Sequence, residues 1–422
     1  MSYEVPHDPY QALRFSNFRL LLSGNLIASL GAQMLNLAIG WELYNRTNSA
    51  LALGIVGLVQ VFPVLLLSLL TGHVADQYDR KTIVVLTQIV LIFTSLGLAA
   101  LSYTQGPLVA VYGCLLLRGV GSAFSSPAAS AFVAEVVPES AYENAASWRN
   151  SVGQLASIAG PAAGGLLIAF WHTASFVYAL NALTGLSFVV LLLFVRPFAT
   201  GNRQVARKRE PMTLRSLSDG ISFLRRTPVI LSAITLDLFA VLFGGATTLL
   251  PIFAKDILHV GPSGLGWLQA APSIGAILVS LTLAHQPPMR RAGPTLLLAV
   301  TGFGVATIFF GLSQSFWIST LMLFALGGLD SISMVIRDTL SLTRIPNEMR
   351  GRVAAIEGVF VSSSNQLGGF ESGVTAQLVG PVLSVVGGGV GTILVVLIIL
   401  FASPELRGLR TLRATESEVF AR

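Results

Sequence analysis

Charge is what this sequence has least of. Only 11% of its 422 residues are Asp, Glu, Lys or Arg, against about 25% in soluble globular chains. The charges are clumped, so long stretches carry almost none. That pattern excludes water as the only solvent of the folded surface. Cysteine is nearly absent: Cys114 is the single one, which rules out an intramolecular disulfide, and its apolar surroundings suit a small core residue. The five histidines, His7, His73, His172, His259 and His285, are scattered at loops and segment ends. No Cys/His cluster has metal-ligand spacing, so neither a metal nor a cofactor is expected. No nucleophile–base pair or metal set stands at the segment ends, which argues against an enzyme.

What the chain has in abundance is apolar length, with 53% hydrophobic residues. A helix crossing ~30 Å of hydrocarbon needs about 20 residues. Twelve segments qualify, at roughly 19–43, 50–71, 82–103, 107–133, 145–170, 173–195, 229–254, 262–284, 294–313, 316–342, 353–379 and 382–402. The first is too long for a signal-peptide core and no small-residue cleavage site follows it, so it is expected to be retained. Interior Gly and Pro, tolerated in membrane bundles, recur throughout. The predicted fold is an all-α membrane protein of twelve transmembrane helices.

The net charge of +6 does not point to nucleic acid, because the basic residues flank apolar segments instead of forming a stripe. With the N-terminus inside, 22 of the 26 Lys and Arg residues fall in inside loops and tails. Arg46 and Lys255 fall outside, and Arg118 and Arg337 lie within spans. That asymmetry puts both termini in the cytoplasm. The longest polar stretch, 196–228, contains Arg207-Lys208-Arg209 and an amphipathic segment, Leu214–Phe223. It reads as a cytoplasmic connector between a first half, 1–195, and a second, 229–402, with a tail at 403–422. The halves repeat at an offset of about 208–209 residues: Arg46 falls on Lys255, Gly57 on Gly266, Pro63 on Pro272, Gly119 on Gly327, Pro138 on Pro346 and Ala146 on Ala354. Two six-helix halves of equal orientation are a transporter architecture, with the substrate near the midplane between them.

Residues 72–81 read Gly72-His-Val-Ala-Asp76-Gln-Tyr-Asp79-Arg80-Lys81, in the inside loop between spans 2 and 3. This resembles the loop signature of the major facilitator superfamily. Gly160-Pro161-Ala-Ala-Gly164-Gly165 in span 5 is similar to the end of that family's antiporter motif, with Ala156 where Gly is usual. Four further segments resemble the enterobactin-exporter-like branch, also described as transmembrane secretion effectors: Ala12–Arg19 before span 1, Gly40-Trp41-Glu42-Leu-Tyr44 at its exit, Leu250-Pro251-Ile-Phe253 in span 7 and Ile345–Arg352 before span 11. The resemblance implies a multi-pass protein of the bacterial inner membrane. It would be an exporter of a siderophore, drug or other small amphiphile, driven by protons.

Each motif has a physical reading. Gly72 allows helices to approach at the cytoplasmic edge. Asp76 suits the N-terminal end of a neighbouring helix, by resemblance span 11. Asp79, Arg80 and Lys81 are expected to pair locally, completing a cytoplasmic latch. The second half lacks it, since Asp76 maps to His285 and Arg80 to Met289. Gly160, Pro161, Gly164 and Gly165 are expected to bend span 5 and seal the halves, or simply to pack. Ionisable residues within spans are costly and mark function. The deepest are Arg118, Asp237, Asp330 and Glu371, the candidates for proton and substrate. Glu42, Lys255, Asp256, Arg149, Arg337, Asp338 and Glu357 lie near span ends, within reach of water. Arg118 and Asp330 are expected to pair when the cavity opens outward and to part when it opens inward; in the competing reading, Arg118 holds an anionic substrate. Trp41, Phe239 and Phe243 are candidates for apolar substrate contact. A monomeric proton-coupled exporter is the leading expectation. A lipid flippase on the same fold is the alternative, and a non-transporting scaffold or sensor is weakened by the lack of a receptor domain or long tail.

Overall fold

The computed structural model describes residues 8–196, 221–287, 289 and 291–409. Among them run twelve long helices. In the first half of the chain these are α1 (Ser16–Thr47), α2 (Ala50–Gln77), α3 (Arg80–Tyr103), α4 (Leu108–Val133), α5 (Tyr142–Trp171) and α6 (Ser175–Phe194). In the second they are α7 (from Pro228), α8 (Gly261–Ala284), α9 (Ala292–Leu312), α10 (Phe316–Arg344), α11 (Asn347–Val379) and α12 (Pro381–Ala402). Each coincides with an apolar segment of the sequence. The ends that differ most are those of α2, which continues to Gln77, and α11, which begins at Asn347. Both extensions are polar. Hydropathy marks where hydrocarbon stops, whereas the hydrogen-bond ladder can run on into water. The basic run 207–209, most of the amphipathic segment 214–223 and the tail beyond Leu409 lie outside the described residues.

Helix α7 departs from the expected straight span. Its regular part ends at Phe243. A 3-10 turn follows at Gly245–Leu249, then one α turn at Leu250–Ile252 and a π turn at Phe253–Ile257. The cause is local. Gly244 and Gly245 weaken the ladder, and Pro251 has no N–H to offer the carbonyl of Thr247. Eleven of the helices are long and apolar enough to cross a membrane. The exception is α11, whose Ser362-Ser363-Ser364-Asn365-Gln366 run and Glu371 lower its hydropathy. A polar helix in such a bundle needs protein or water on its polar face.

The chain divides into two compact units. One combines Met1–Ala38 with Phe62–Pro211, the other Ile39–Val61 with Met212–Arg422. In the first unit α3 packs against α4 and α6, and in the second α9 packs against α10 and α12. These are repeat mates, so each unit repeats the neighbour pattern of the other, as the duplicated sequence requires. The first unit buries Ile83, Val84, Phe132, Phe188 and Leu192 together. The second buries Leu236, Leu296, Val300, Ile336, Leu340 and Ile399 where α7, α9, α10 and α12 meet. The ends of α1 and α2 that face each other, residues 39–61, belong to the second unit.

Candidate coupling and gating sites

Within the second unit, α7 and α10 bring two charges together. Arg337 donates from Nη1 to Oδ2 of Asp237 at 2.6 Å, and the two side chains are 15% and 7% exposed. Leu236 and Ile336, the residues just before them, are both fully buried in the shared core, so the pair lies beside that contact. Asp330 precedes Arg337 by two turns on the same face of α10. Arg337 also lies within electrostatic reach of Asp330, Asp338 and Glu357. Glu357 accepts from Ser341 Oγ at 3.0 Å. Two further buried polar atoms, Arg337 Nε and Ser333 Oγ, have no hydrogen-bond partner among the described residues. One guanidinium thus contacts one carboxylate and lies in the field of three more.

Asp237 and Asp330 were both legible as deep carboxylates, and the structure gathers them into one cluster. Arg337 was not: its position near a span end concealed it. The available signal was its seven-residue spacing from Asp330, which places two opposite charges on one helix stripe. Glu371 stands apart on α11, accepting from Ser372 Oγ at 3.4 Å. Arg118 lies partly buried in the first unit and makes no hydrogen bond or ion pair with a described residue of that unit. Asp330 belongs to the second unit, where the arginine in its field is Arg337.

A second constellation joins residues 39–61 to the rest of the second unit. Tyr44 Oη donates a hydrogen bond to Asp256 Oδ2. Lys255 Nζ donates to Asn48 Oδ1 at 2.8 Å and stands 5.3 Å from the centre of the Tyr44 ring, a cation–π contact. Ser49 Oγ donates to Gln377 Oε1 at 3.0 Å. Below these polar contacts the backbones touch. A Cβ on Gly373 would lie 2.7 Å from Gly54 Cα, and one on Gly57 would lie 3.1 Å from the Gln366 carbonyl oxygen. A Cβ on Gly40 would meet Pro251. The signature segments at the ends of spans 1 and 7 therefore meet each other. Tyr44 and Pro251 were noted in the sequence, but not as neighbours.

At the loop signature, the expected local pairing of Asp79, Arg80 and Lys81 gives way to three different partnerships. Asp79 caps α3, accepting from Thr82 N at 2.8 Å and Thr82 Oγ1 at 2.7 Å. Arg80 forms an ion pair with Glu135 at 2.9 Å, just past the end of α4. Lys81 donates to the carbonyls of Leu193 and Val195 at 3.2 and 2.8 Å, at the negative end of the α6 dipole. The three diverge because α3 begins at Arg80, so successive residues there point about 100° apart. Among the described residues, a Cβ on Gly72 would meet no atom within 4 Å. The Asp76 side chain lies outside the described residues. At the equivalent loop of the second unit, Met289 packs against the apolar core and His285 bonds back to the Leu281 carbonyl at 2.7 Å.

The span-5 motif packs α5 on α1. Cβ atoms on Gly160 and Gly164 would collide with Gln33 and Met34. Pro161 and Gly165 are buried, and α5 runs through Pro161 to Trp171. The segment before α1 ties the same unit together. Asn144 Oδ1 accepts from Ala12 N at 2.9 Å, and Asn17 bonds both N–H and C=O of Arg196. Among the aromatic candidates, Phe239 and Phe243 stack at 6.2 Å. Phe243 abuts Gly388 and Gly391 of α12, so it serves helix packing; Trp41 is partly buried.

Repeated six-helix units with charges buried inside their spans define a membrane transporter fold. The profile of the family described as transmembrane secretion effector matches residues 7–418, and the chain belongs to this family of the major facilitator superfamily. It is 21% identical over 375 residues to macrolide efflux protein A of Streptococcus pyogenes, covering 87% of this chain and 92% of that one. It is 24% identical over 394 residues to the enterobactin exporter of Escherichia coli, covering 93% of each. Solved structures share the fold. A point mutant of the nucleoside transporter NupG superposes with a TM-score of 0.72 at 10% identity, over 92% of this chain and all of that one. The E. coli xylose transporter XylE does so with a TM-score of 0.68 at 15% identity, over 96% and 98%. The protein is thus a multi-pass membrane transporter that handles small molecules.

Proposed function

We propose that this protein is a proton-coupled exporter of a small amphiphilic molecule, acting as a monomer in the bacterial inner membrane with both termini cytoplasmic. The observation that carries the coupling is the Asp237–Arg337 ion pair at 2.6 Å, set among Asp330, Asp338 and Glu357. One guanidinium compensates one carboxylate. Burying the rest uncompensated is costly, and this makes the cluster the candidate proton site. Proton arrival on Asp237 weakens its hold on Arg337 and frees α10 from α7. Asp330, two turns along, is the second station. The names of the relatives, efflux and export proteins, support the direction of transport.

Alternating access needs a contact that closes one side and opens again. The docking of residues 39–61 through Tyr44, Asn48 and Ser49 is suited to this. It is a small polar clamp over a glycine seam, strong enough to hold and cheap enough to release. By the distribution of basic residues this end faces outward, and the latch around Asp76, Arg80 and Lys81 serves the cytoplasmic side.

The test is gradient-driven transport in proteoliposomes, screened over siderophores, dyes and antibiotics. An inward-acid pH gradient should drive uptake into inside-out vesicles by the native protein. Asp237→Asn should abolish that and keep substrate exchange. Full gradient dependence in Asp237→Asn, Asp330→Asn and Glu371→Gln alike would overturn the coupling assignment. Orientation is tested with an impermeant thiol reagent on a Cys114→Ser background. Asn45→Cys should label in whole cells and Lys208→Cys should not.

A further inference from the structure

Helix α10 carries seven hydroxyl side chains, and six of them have a partner. Thr320, Thr339 and Thr343 donate to the carbonyl four residues earlier, a common arrangement within a helix. Ser319 bonds Ser313, Ser331 bonds Ser280 of α8, and Ser341 donates to Glu357. Ser333 is the exception. It is 3% exposed, yet its Oγ has no hydrogen-bond partner among the described residues. It stands three residues after Asp330 and four before Arg337, on the stripe that those two share. A long side chain on a helix leans back over the preceding turn, which brings Arg337 over Ser333. Arg337 Nε is likewise buried and without a described partner, while Nη1 of the same guanidinium holds Asp237. Asp330 lies within electrostatic reach of both Asp237 and Arg337. Two buried polar atoms one turn apart, each lacking a protein partner and both beside carboxylates, call for a shared ligand.

We infer that Ser333 Oγ and Arg337 Nε hold a water molecule that passes the proton between Asp330 and Asp237. The chemistry of the two atoms selects this ligand. The guanidinium N–H needs an acceptor, which excludes a metal cation. The surrounding carboxylates repel chloride, and the burial of Ser333 excludes a bulky substrate. Water fits all three conditions, because it accepts two hydrogen bonds and donates two. It accepts from Arg337 Nε and from Ser333 Oγ, and both its hydrogens are left for Asp330 and Asp237. When the Asp330 carboxyl carries the proton, its O–H bond breaks as the water gains that hydrogen. The water's other O–H bond then breaks and its hydrogen passes to the Asp237 carboxylate. The water is restored, Asp330 is ionised and Asp237 is neutral. Arg337 can only donate, so the Ser333 hydroxyl must turn from donor to acceptor while the water receives its extra hydrogen. Ser333 is thus a positioning residue that acts through the water. The relay rests on the proton-coupled reading above. The water site does not, since it follows from the two atoms alone.

The test uses the full-length protein and three variants. Ser333→Ala removes the hydroxyl, Ser333→Cys keeps the volume with a poor hydrogen-bonding group, and Ser333→Thr keeps the hydroxyl. In proteoliposomes, gradient-driven transport should fall about tenfold or more in the Ala and Cys variants, the range for a lost hydrogen bond to a charged group. Substrate exchange, which moves no net proton, should persist in both. Ser333→Thr should recover most of the gradient-driven rate. Heavy water should slow the Ala and Cys variants by a larger factor than the native protein, because proton transfer then limits the cycle. A purely structural role for Ser333 would leave that isotope ratio unchanged and would lower exchange and gradient-driven rates together. Native gradient-driven rates in both the Ala and Cys variants, or an unchanged isotope ratio, would overturn the relay. The water is tested separately, in a high-resolution experimental structure of the native protein. Ordered density within about 3.2 Å of both Ser333 Oγ and Arg337 Nε, lost in Ser333→Ala, supports the site. Direct protein partners on both atoms, with no such density, would overturn it. Water at the site together with native transport that ignores the pH gradient would count against proton coupling and with it the relay, leaving the water site standing.

Discussion

The two units are built from one repeated sequence, yet they place their charges in opposite ways. In the first, acid and base meet at the helix ends: Arg80 with Glu135 at 2.9 Å, with 27% and 28% of the side chains exposed. In the second, the equivalent loop position is Met289, which is apolar, and the least exposed ion pair among the described residues is Asp237 with Arg337. The first keeps an arginine inside a span, Arg118, that has no acid partner among the described residues. The second collects carboxylates around one arginine. Duplication supplies a common frame of helix neighbours, and the frame tolerates this divergence because packing depends on apolar stripes that both copies keep. An edge ion pair in water contributes about 1 kcal/mol or less. A buried pair that loses one partner costs about 3–5 kcal/mol. Charge at an edge can therefore hold a conformation lightly, whereas charge inside a unit can respond to a single proton.

The largest effect should come from splitting the buried pair. Arg337→Gln strands Asp237 and should destabilise the purified protein by about 3–5 kcal/mol, read as a marked fall in unfolding temperature. The double variant Asp237→Asn/Arg337→Gln should recover most of that loss while remaining uncoupled from the proton gradient. Additive losses in the double variant would mean that the two charges act separately. Next comes the glycine seam of the second unit. Gly54→Leu forces a branched side chain against Gly373, with backbone on the facing side and little room to yield. It should raise thiol labelling of a cysteine at Ser49 in whole cells, and labelling unchanged from the parent would remove this contact from the gate.

A smaller effect is expected from exchanging the units' solutions. Arg80→Met imports the residue of the second unit into the first. It should lower stability by about 1 kcal/mol or less but slow transport more than that cost implies, because the latch loses a partner. Asp76→Asn should act on transport in the same direction. If both variants transport at the native rate, the signature is reduced to a topogenic loop. The smallest effect should come from Asp79→Ala, which deletes the α3 cap, typically ~1 kcal/mol, and should shift the unfolding temperature slightly with transport unchanged.

Much of this was legible in the sequence, and the parts that were not have identifiable causes. The helices could be read because a span must be apolar for about 20 residues, whatever its neighbours. Even so, α11 escapes an apolarity criterion, since a helix packed on protein can carry Glu371 and a serine run. The break in α7 was hinted at by Gly244-Gly245 and Pro251, but Gly and Pro are common in membrane helices and do not by themselves say which span unwinds. Asp237 and Asp330 stood out as carboxylates deep in spans. Arg337 did not, because depth along a helix says nothing of which helix stands opposite. Glu135, Asn48, Asp256 and Gln377 are ordinary polar residues at segment ends, and only contact distinguishes them.

By itself the sequence determined how many helices there are, that they form two repeats and which of their ends carry the basic residues, because each of these follows from local composition measured against a fixed membrane thickness. The tertiary structure alone decided that Arg337 answers Asp237, that Arg80 answers Glu135 rather than Asp79, and that residues 39–61 fold in with the second unit. Those outcomes depend on which faces of distant helices come together. That is settled by the packing of whole helices, and no short run of residues records it.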